Sequence, residues 1–396
     1  MATGRAGASA SALEMRAVRA VRSAAPATVI ALGVFAAVRG GGVLVLSLGA
    51  WWAGRDPFKV LGRSWDSDWY LRIAAHGYGR TLMWPEAATG TGPVQSDSAF
   101  FPLYPTLIRL VSGILPGGTA PAALLVAWVS AAVAALGIYR VGERVTGPRA
   151  GLLLVGLWAA LPHAVVLTLA YTEALLTACA AWALYALLRD RWRWAAGLAV
   201  LAGLTRPTGL AVAAAVSAMA LHAVVVRRSR APEVWLAALV APAGWAAYVL
   251  AVGVKVDDPF GGYFAVQAAW GSRFDFGIGA LRSAERVLTG GHVPLATTVT
   301  VVLLAMAGLL AVLLLLDRAP LPLLVYTAVL LAMAFGGAGF FESKPRFLLP
   351  AFPLLLPMAA VMAKARPRTA VMVTAVVAGL GYGYGLYLLL IARVPL

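Results

Sequence analysis

The sequence predicts an all-α polytopic membrane protein with about 10–11 transmembrane helices, on three observations. Of 396 residues, 61% are hydrophobic and only 12% charged, and mean hydropathy is +0.84; soluble domains carry roughly a quarter of their residues as charges. Apolar segments close to the ~20 residues needed to cross ~30 Å of hydrocarbon recur along the chain. The net charge of +16 is scattered as short basic clusters between those segments. That distribution marks topology and argues against a nucleic-acid partner.

Residues 1–26 form a basic, Ala-rich arm, and the apolar run at 27–50 is long enough to span, so it is expected to stay as a signal anchor. The remainder, 27–396, is expected to be one integral-membrane domain. A first long loop covers 51–118 and ends in Ala99-Phe100-Phe101-Pro102-Leu103-Tyr104-Pro105, after which Thr106 to Leu115 reads as an interfacial helix. Apolar segments follow at 120–139, 150–168, 171–189, 194–226 and 233–254. After a second long loop at 255–292 come segments 293–316, 320–340, 346–363 and 369–392. The short connections and the arm carry 17 Lys/Arg against 5 Asp/Glu, whereas loops 51–98 and 255–292 carry 9 of each, so the long loops are assigned to the outer face. Segment 194–226 is anomalous. Its 33 residues would make one helix of roughly 50 Å, and it contains Arg206-Pro207, a charge beside a helix breaker. A break there returns the chain to its starting side and keeps 255–292 and the Glu342 to Arg346 turn on the face of the first loop. The single cysteine, Cys179, excludes an intrachain disulfide framework and reads as a small buried residue.

Trp65-Asp66-Ser67-Asp68-Trp69-Tyr70 is the most informative stretch. Acids are scarce, 16 in the whole chain, and two of them stand among aromatics just beyond the first span. That placement points to chemistry at the bilayer surface.

These residues carry a resemblance. Trp65-Asp66-Ser67 with Trp69-Tyr70, Gly77-Tyr78, and the run from Ala99 to Pro105 resemble the first-loop signature of the PIG-V-like mannosyltransferases, relatives of the second mannosyltransferase of GPI-anchor synthesis in the GT-C class of membrane glycosyltransferases. Leu161-Pro162-His163 with Tyr171-Thr172-Glu173, then Arg206-Pro207-Thr208-Gly209, then Pro345-Arg346-Phe347 with Pro350 and Pro353, are similar to later elements of that family, in the same order. His163 departs from it, standing where the family has a small residue. The resemblance implies an inverting transfer of mannose from a polyprenyl-phosphate-mannose donor, with a first-loop Asp as base, and the motif puts Asp66 there. The Ala-, Gly-, Arg- and Val-rich composition is that of a high-GC bacterial genome, so the expected setting is the outer face of a bacterial cytoplasmic membrane and the expected acceptor a lipid, glycan or protein outside a GPI pathway.

Such a reaction needs a base for the acceptor hydroxyl and cations for the donor phosphate, and phosphate leaves without a general acid. Asp66 is the candidate base; its bland reading is a juxtamembrane helix cap. Asp68 orients Asp66, binds sugar hydroxyls or faces water. Asp97 lines the same cleft or is an exposed loop acid. Arg206, Lys344 and Arg346 are candidate phosphate grips, against snorkelling or pairing with Glu342. Glu173 contacts substrate or caps a helix. Trp65 and Tyr104 stack on sugar or belong to an interfacial aromatic belt. Arg39, inside the first apolar segment, must meet protein, water or a headgroup. Asp66-Ser67-Asp68 and Asp257-Asp258 have the form of a divalent-metal contact, but a lipid-phosphate donor has no diphosphate to bridge, so no obligatory cofactor is predicted. The rival readings are a transporter or flippase of a lipid-linked sugar, which would share the broken helix, and an inactive scaffold subunit.

Overall fold

Breaks in the helices set the architecture of this chain. The computed structural model describes residues 4–83, 94–290, 292–392 and 394, with 4–26 as backbone. The expected arm is continuous with the first span, in one helix Gly4–Trp52; the Arg16, Arg19 and Arg22 side chains lie outside the described part. Among the described residues, six helices are long and apolar enough to cross a membrane: Ala27–Trp52, Thr119–Thr146, Pro207–Val225, Pro232–Lys255, Leu295–Leu316 and Pro367–Ala392. Two pairs are each bent within one apolar segment, Pro148–Ala160 with Pro162–Thr168 by 85° and Phe341–Phe347 with Phe352–Met362 by 77°, and they bring the number to eight. Glu173–Leu187 and Leu321–Gly336 are shorter apolar helices. Each apolar segment read from the sequence holds one of these elements.

The break inside 194–226 falls where Arg206-Pro207 puts it. Trp192–Gly203 ends, Arg206 is extended, and a short 3-10 turn Pro207–Gly209 opens the helix Leu210–Val225. Arg206 meets Glu173 at the start of Glu173–Leu187, and Arg227 lies 3.5 Å from Asp190 just beyond that helix's end. The chain therefore returns to the end it left. Gly209 makes the return possible, since a Cβ there would penetrate the Ala202 carbonyl. Gly209→Ala is expected to destabilise the fold by ~1–3 kcal/mol, the usual range for overpacking, read as earlier thermal unfolding of the purified protein.

The break at Leu161-Pro162 follows from the same chemistry. Leu161 is extended, as a residue before proline prefers, which leaves the last carbonyls of Pro148–Ala160 without helical donors. Arg39 supplies one, its Nη1 donating to the Ala159 oxygen at 3.1 Å. The cation in the first span thus sits at a helix C-terminus, where the dipole favours it. Trp158 Nε1 donates to the Leu349 oxygen at 3.1 Å, joining the two bent pairs through their breaks. Small residues tighten the bundle elsewhere: Ala123, Ala127, Ala134 and Ala135 of Thr119–Thr146 are fully buried, and this helix packs along Glu173–Leu187.

Among the described residues, strands occur only as short pairs involving the loops. Thr81–Met83 pairs antiparallel with Val94–Ser96, and Arg273–Phe274 with Gly337–Ala338. The helix expected from Thr106 to Leu115 runs Leu103–Ser112, starting earlier because Pro105 suits a first turn. Its Tyr104 and Ile108 are fully buried, while Leu110 and Ile114 remain exposed.

Candidate active site

Four stretches far apart in sequence meet at one ion network. The first is the helix Asp66–His76, which opens directly on the motif, with Asp66 and Asp68 in the first turn where a helix dipole favours carboxylates. Trp65 precedes it at φ +50°, a left-handed conformation that costs a non-glycine residue ~1–3 kcal/mol and concentrates at functional sites. Asp66 Oδ2 accepts from Arg346 Nη1 at 2.7 Å. The Asp66 side chain is 31% exposed, and its other oxygen has no partner among the described residues.

Arg346 stands on the turn Lys344–Phe347 and is 7% exposed. Its Nε lies 3.2 Å from Glu173 Oε1. Glu173, 1% exposed, begins its helix and takes Arg206 Nη1 on the same oxygen. Arg206 also reaches Thr172 Oγ1 at 3.4 Å, and Thr172 reaches the Tyr70 hydroxyl at 3.4 Å. The Phe347 ring lies 5.3 Å from the Arg206 guanidinium and 5.0 Å from that of Arg346, and Tyr171 lies 5.2 Å from Arg346, within cation–π range. Burial pushes the Tyr70 hydroxyl above its ordinary pKa, with Arg206 opposing and Asp66 adding to the shift, so it is a neutral phenol. Two arginines face two carboxylates, and Asp66 is the member open to solvent.

The network leaves polar atoms unused. Glu173 Oε2, Arg206 Nε, Ser67 Oγ, Tyr171 Oη and Thr208 Oγ1 are buried without a hydrogen-bond partner among the described residues, as are both ring nitrogens of His163. Native interiors pair nearly all such groups. Several of them belong to residues of the network or to their immediate chain neighbours.

The other sequence candidates fall in different places. Arg206 and Arg346 do not pair with Glu342, which accepts from Thr297 at 2.7 Å; their partners are Glu173 and Asp66. Lys344 is buried but turned away, its Nζ donating to the oxygens of Gly337 at 2.6 Å and Phe335 at 3.2 Å. Asp68 makes a surface pair with Arg72 at 3.4 Å, and Trp65 is exposed. Tyr104 is a core residue, its hydroxyl donating to the Ala123 oxygen at 2.9 Å. Asp97 is no exposed loop acid: it is buried and accepts from the Gly79 amide at 2.9 Å and the Arg80 amide at 2.8 Å. Asp97→Ala is expected to cost ~1–3 kcal/mol, because two buried amides lose their acceptor, and to speed hydrogen exchange at Gly79 and Arg80.

Tyr248, Gln267 and Trp270 were not singled out by the sequence. The Tyr248 hydroxyl donates to the Phe100 oxygen at 2.6 Å, Gln267 Nε2 to Ala99 at 3.0 Å and Trp270 Nε1 to Ser96 at 3.0 Å. Trp69 stacks on Phe100 with centroids 5.7 Å apart, and Trp270 meets Trp69 edge-on at 5.1 Å. The second loop is thereby fastened to the first beside the motif. The available signal was the proline-bound carbonyls of 96–102, which need donors from elsewhere. Among the described residues no three His, Cys, Asp or Glu side chains gather as a metal-holding group. The Gly/Pro-rich stretch between Tyr78 and Ala99 lies partly, at 84–93, outside the described residues.

Comparison with known proteins bears on the fold. The profile of the dolichyl-phosphate-mannose-protein mannosyltransferase family matches residues 97–254, a segment that excludes Asp66. No curated protein matches the sequence. The structure is similar to that of ArnT from Cupriavidus metallidurans bound to undecaprenyl phosphate, with TM-score 0.54 and 14% identity, covering 88% of this chain and 64% of that one. The Archaeoglobus fulgidus oligosaccharyltransferase is also similar, with TM-score 0.47 and 14% identity, covering 87% of this chain and 53% of that one. This chain spans about two thirds or less of either structure. It is an all-α, multi-pass membrane protein with the GT-C-type fold.

Proposed function

We propose that the protein is a membrane glycosyltransferase that moves mannose from a polyprenyl-phosphate-mannose donor to a lipid, glycan or protein acceptor at the extracytoplasmic face of a bacterial cytoplasmic membrane. The observation that carries the reading is the solvent-open Asp66 carboxylate fixed by Arg346 beside Glu173 and Arg206, which joins the four motifs behind the PIG-V-like resemblance. The family profile and the shared fold support a lipid-linked donor.

In this mechanism the free Asp66 oxygen takes the proton of the acceptor hydroxyl as that oxygen attacks the anomeric carbon. The bond from that carbon to the phosphate oxygen breaks, giving a glycoside of inverted configuration and polyprenyl phosphate. Phosphate departs without a general acid. Arg346 and Arg206 hold N–H donors beyond those committed to the two acids, and these meet the charge growing on the phosphate. The unpartnered Ser67, Tyr171 and Thr208 hydroxyls and Glu173 Oε2 are suited to sugar hydroxyls. The two fastened loops cover the cleft and limit hydrolysis of the donor. The reaction requires no metal.

Membranes containing the protein are expected to pass label from radiolabelled polyprenyl-phosphate mannose into one of the lipid, glycan or protein fractions, with inverted anomeric configuration and undiminished by a chelator. Label entering no fraction from this donor would defeat the reading, as would transfer only from a nucleotide sugar. Loss with chelator would defeat its metal-independent form.

A further inference from the structure

A cavity of about 680 Å³ lies apart from the ion network, between the helix Ile278–Leu288 and the segment 337–344. Arg282, Arg286 and Lys344 line it, with Glu285 as the acid. Lys344 and Arg346 are two residues apart on one short helical turn, so they project to different sides. Arg346 goes to Asp66 and Glu173, and Lys344 to this cavity. The Lys344 head is fixed by the Phe335 and Gly337 oxygens. Arg286 touches Ser283 at 3.1 Å, and neither arginine pairs with a carboxylate among the described residues. Asp275, near Lys344, already accepts from the Gly277 and Gly279 amides at 2.9 and 2.7 Å.

The same helix has an opposite, apolar character on its exposed side. Leu281 is 71% and Leu288 83% exposed, Ile278 extends that face, and Phe276 just before it is 85% exposed. An amphipathic helix with arginines beside such a face lies at the surface of a leaflet. A lipid with an anionic head fits both halves, head in the cavity and chain over the apolar face. Charge selects the head. Three cations, with Glu285 in the lining and Asp275 beside Lys344, leave the surroundings positive, which suits an anionic phosphate head and a monoester, close to a dianion at neutral pH, more than a diester. A sugar-bearing donor is a diester with one charge, as is the phosphate of a phospholipid.

We propose that this cavity is a second phosphate seat, separated from Asp66 by the Lys344–Phe347 turn, where Arg282, Arg286 and Lys344 hold the discharged polyprenyl monophosphate after transfer. The assignment rests on the proposed transfer reaction for its ligand, but binding can be measured without turnover.

The full chain in nanodiscs is titrated with a long-chain polyprenyl monophosphate, and bound lipid is read by native mass spectrometry. The double variant Arg282→Gln, Arg286→Gln is expected to bind it ~10- to 100-fold more weakly, through loss of charge-assisted contacts. The double Lys variant keeps the charges and is expected to retain most of the affinity, and Asp66→Asn to bind as the wild type does. Phosphatidylglycerol should bind at least ~10-fold more weakly than the monophosphate, and millimolar inorganic phosphate should not displace it. Wild-type affinity in the Gln variant would overturn the seat, whether or not mannose transfer is observed. Equal affinity for phosphatidylglycerol would overturn the choice of carrier, full displacement by inorganic phosphate would overturn the role of the lipid chain, and lost binding in Asp66→Asn would overturn its separation from the reaction centre.

Discussion

Membranes carrying Asp66→Asn are expected to transfer mannose ~10²- to 10⁴-fold more slowly than wild-type membranes at equal protein level, the range lost when a positioned general base is removed. Asparagine keeps the shape of the side chain, and its carbonyl can still accept from Arg346 Nη1, so the turn at Lys344–Phe347 should stay in place. The substitution removes the capacity to take a proton and one of the two carboxylates that balance the buried Arg346 guanidinium; Glu173, 3.2 Å from Arg346 Nε, remains as its counter-charge. Rate and stability are therefore expected to separate in degree: transfer collapses while thermal stability falls by less than in a Glu173 variant, because Asp66 is the more exposed of the two acids on Arg346. Transfer at the wild-type rate would remove Asp66 from the mechanism. A loss of transfer matched by a comparable loss of folded protein would make it a structural residue instead.

The neighbouring acid provides the control. Asp68 reaches only Arg72, in an exposed pair of the kind worth little in water. Asp68→Asn is expected to leave unfolding unchanged, and any effect on transfer would show that the second carboxylate of the motif touches the acceptor.

What was legible in the sequence follows the range of the signal. The break at Arg206-Pro207 could be read because a charge and a proline stood in an apolar run too long for one helix. The 85° bend at Leu161-Pro162 could not. Segment 150–168 has an ordinary spanning length, and proline is as compatible with starting a helix as with ending one. Arg39 was legible as a residue needing a partner, whereas the partner, a carbonyl released by that unseen bend, was not. The same limit applies at the site. The motifs singled out Asp66, Glu173, Arg206 and Arg346, yet the pairing among them joins positions as far as 280 residues apart, and no local pattern encodes that. Motifs also mix roles. Tyr104 and Asp97 sit in or beside the most distinctive run of the chain, and both are internal braces. A fixed backbone around a site needs particular side chains as much as the chemistry does.

Glu173→Gln is expected to destabilise the protein by ~3–5 kcal/mol, the cost of breaking a buried ion pair from one side. Glu173 is the most enclosed member of the network and the one that both arginines share. Neutralising it leaves Arg206 and Arg346 close together with Asp66 as their remaining counter-charge. Burial among apolar helices makes an uncompensated guanidinium far costlier than a surface mismatch. Glutamine can still accept one hydrogen bond, so the effect belongs nearer the lower end of the range. The consequence reaches the chemistry through geometry: released from Glu173, Arg346 and Arg206 lose the fixed positions from which their free N–H donors meet the donor phosphate. Thermal unfolding in nanodiscs, followed by tryptophan fluorescence, measures the first effect, and the rate of transfer per folded protein measures the second. Unfolding at the wild-type temperature would show that the arginines do not depend on Glu173. A stability loss with an unchanged rate of transfer per folded protein would confine Glu173 to holding the helices together.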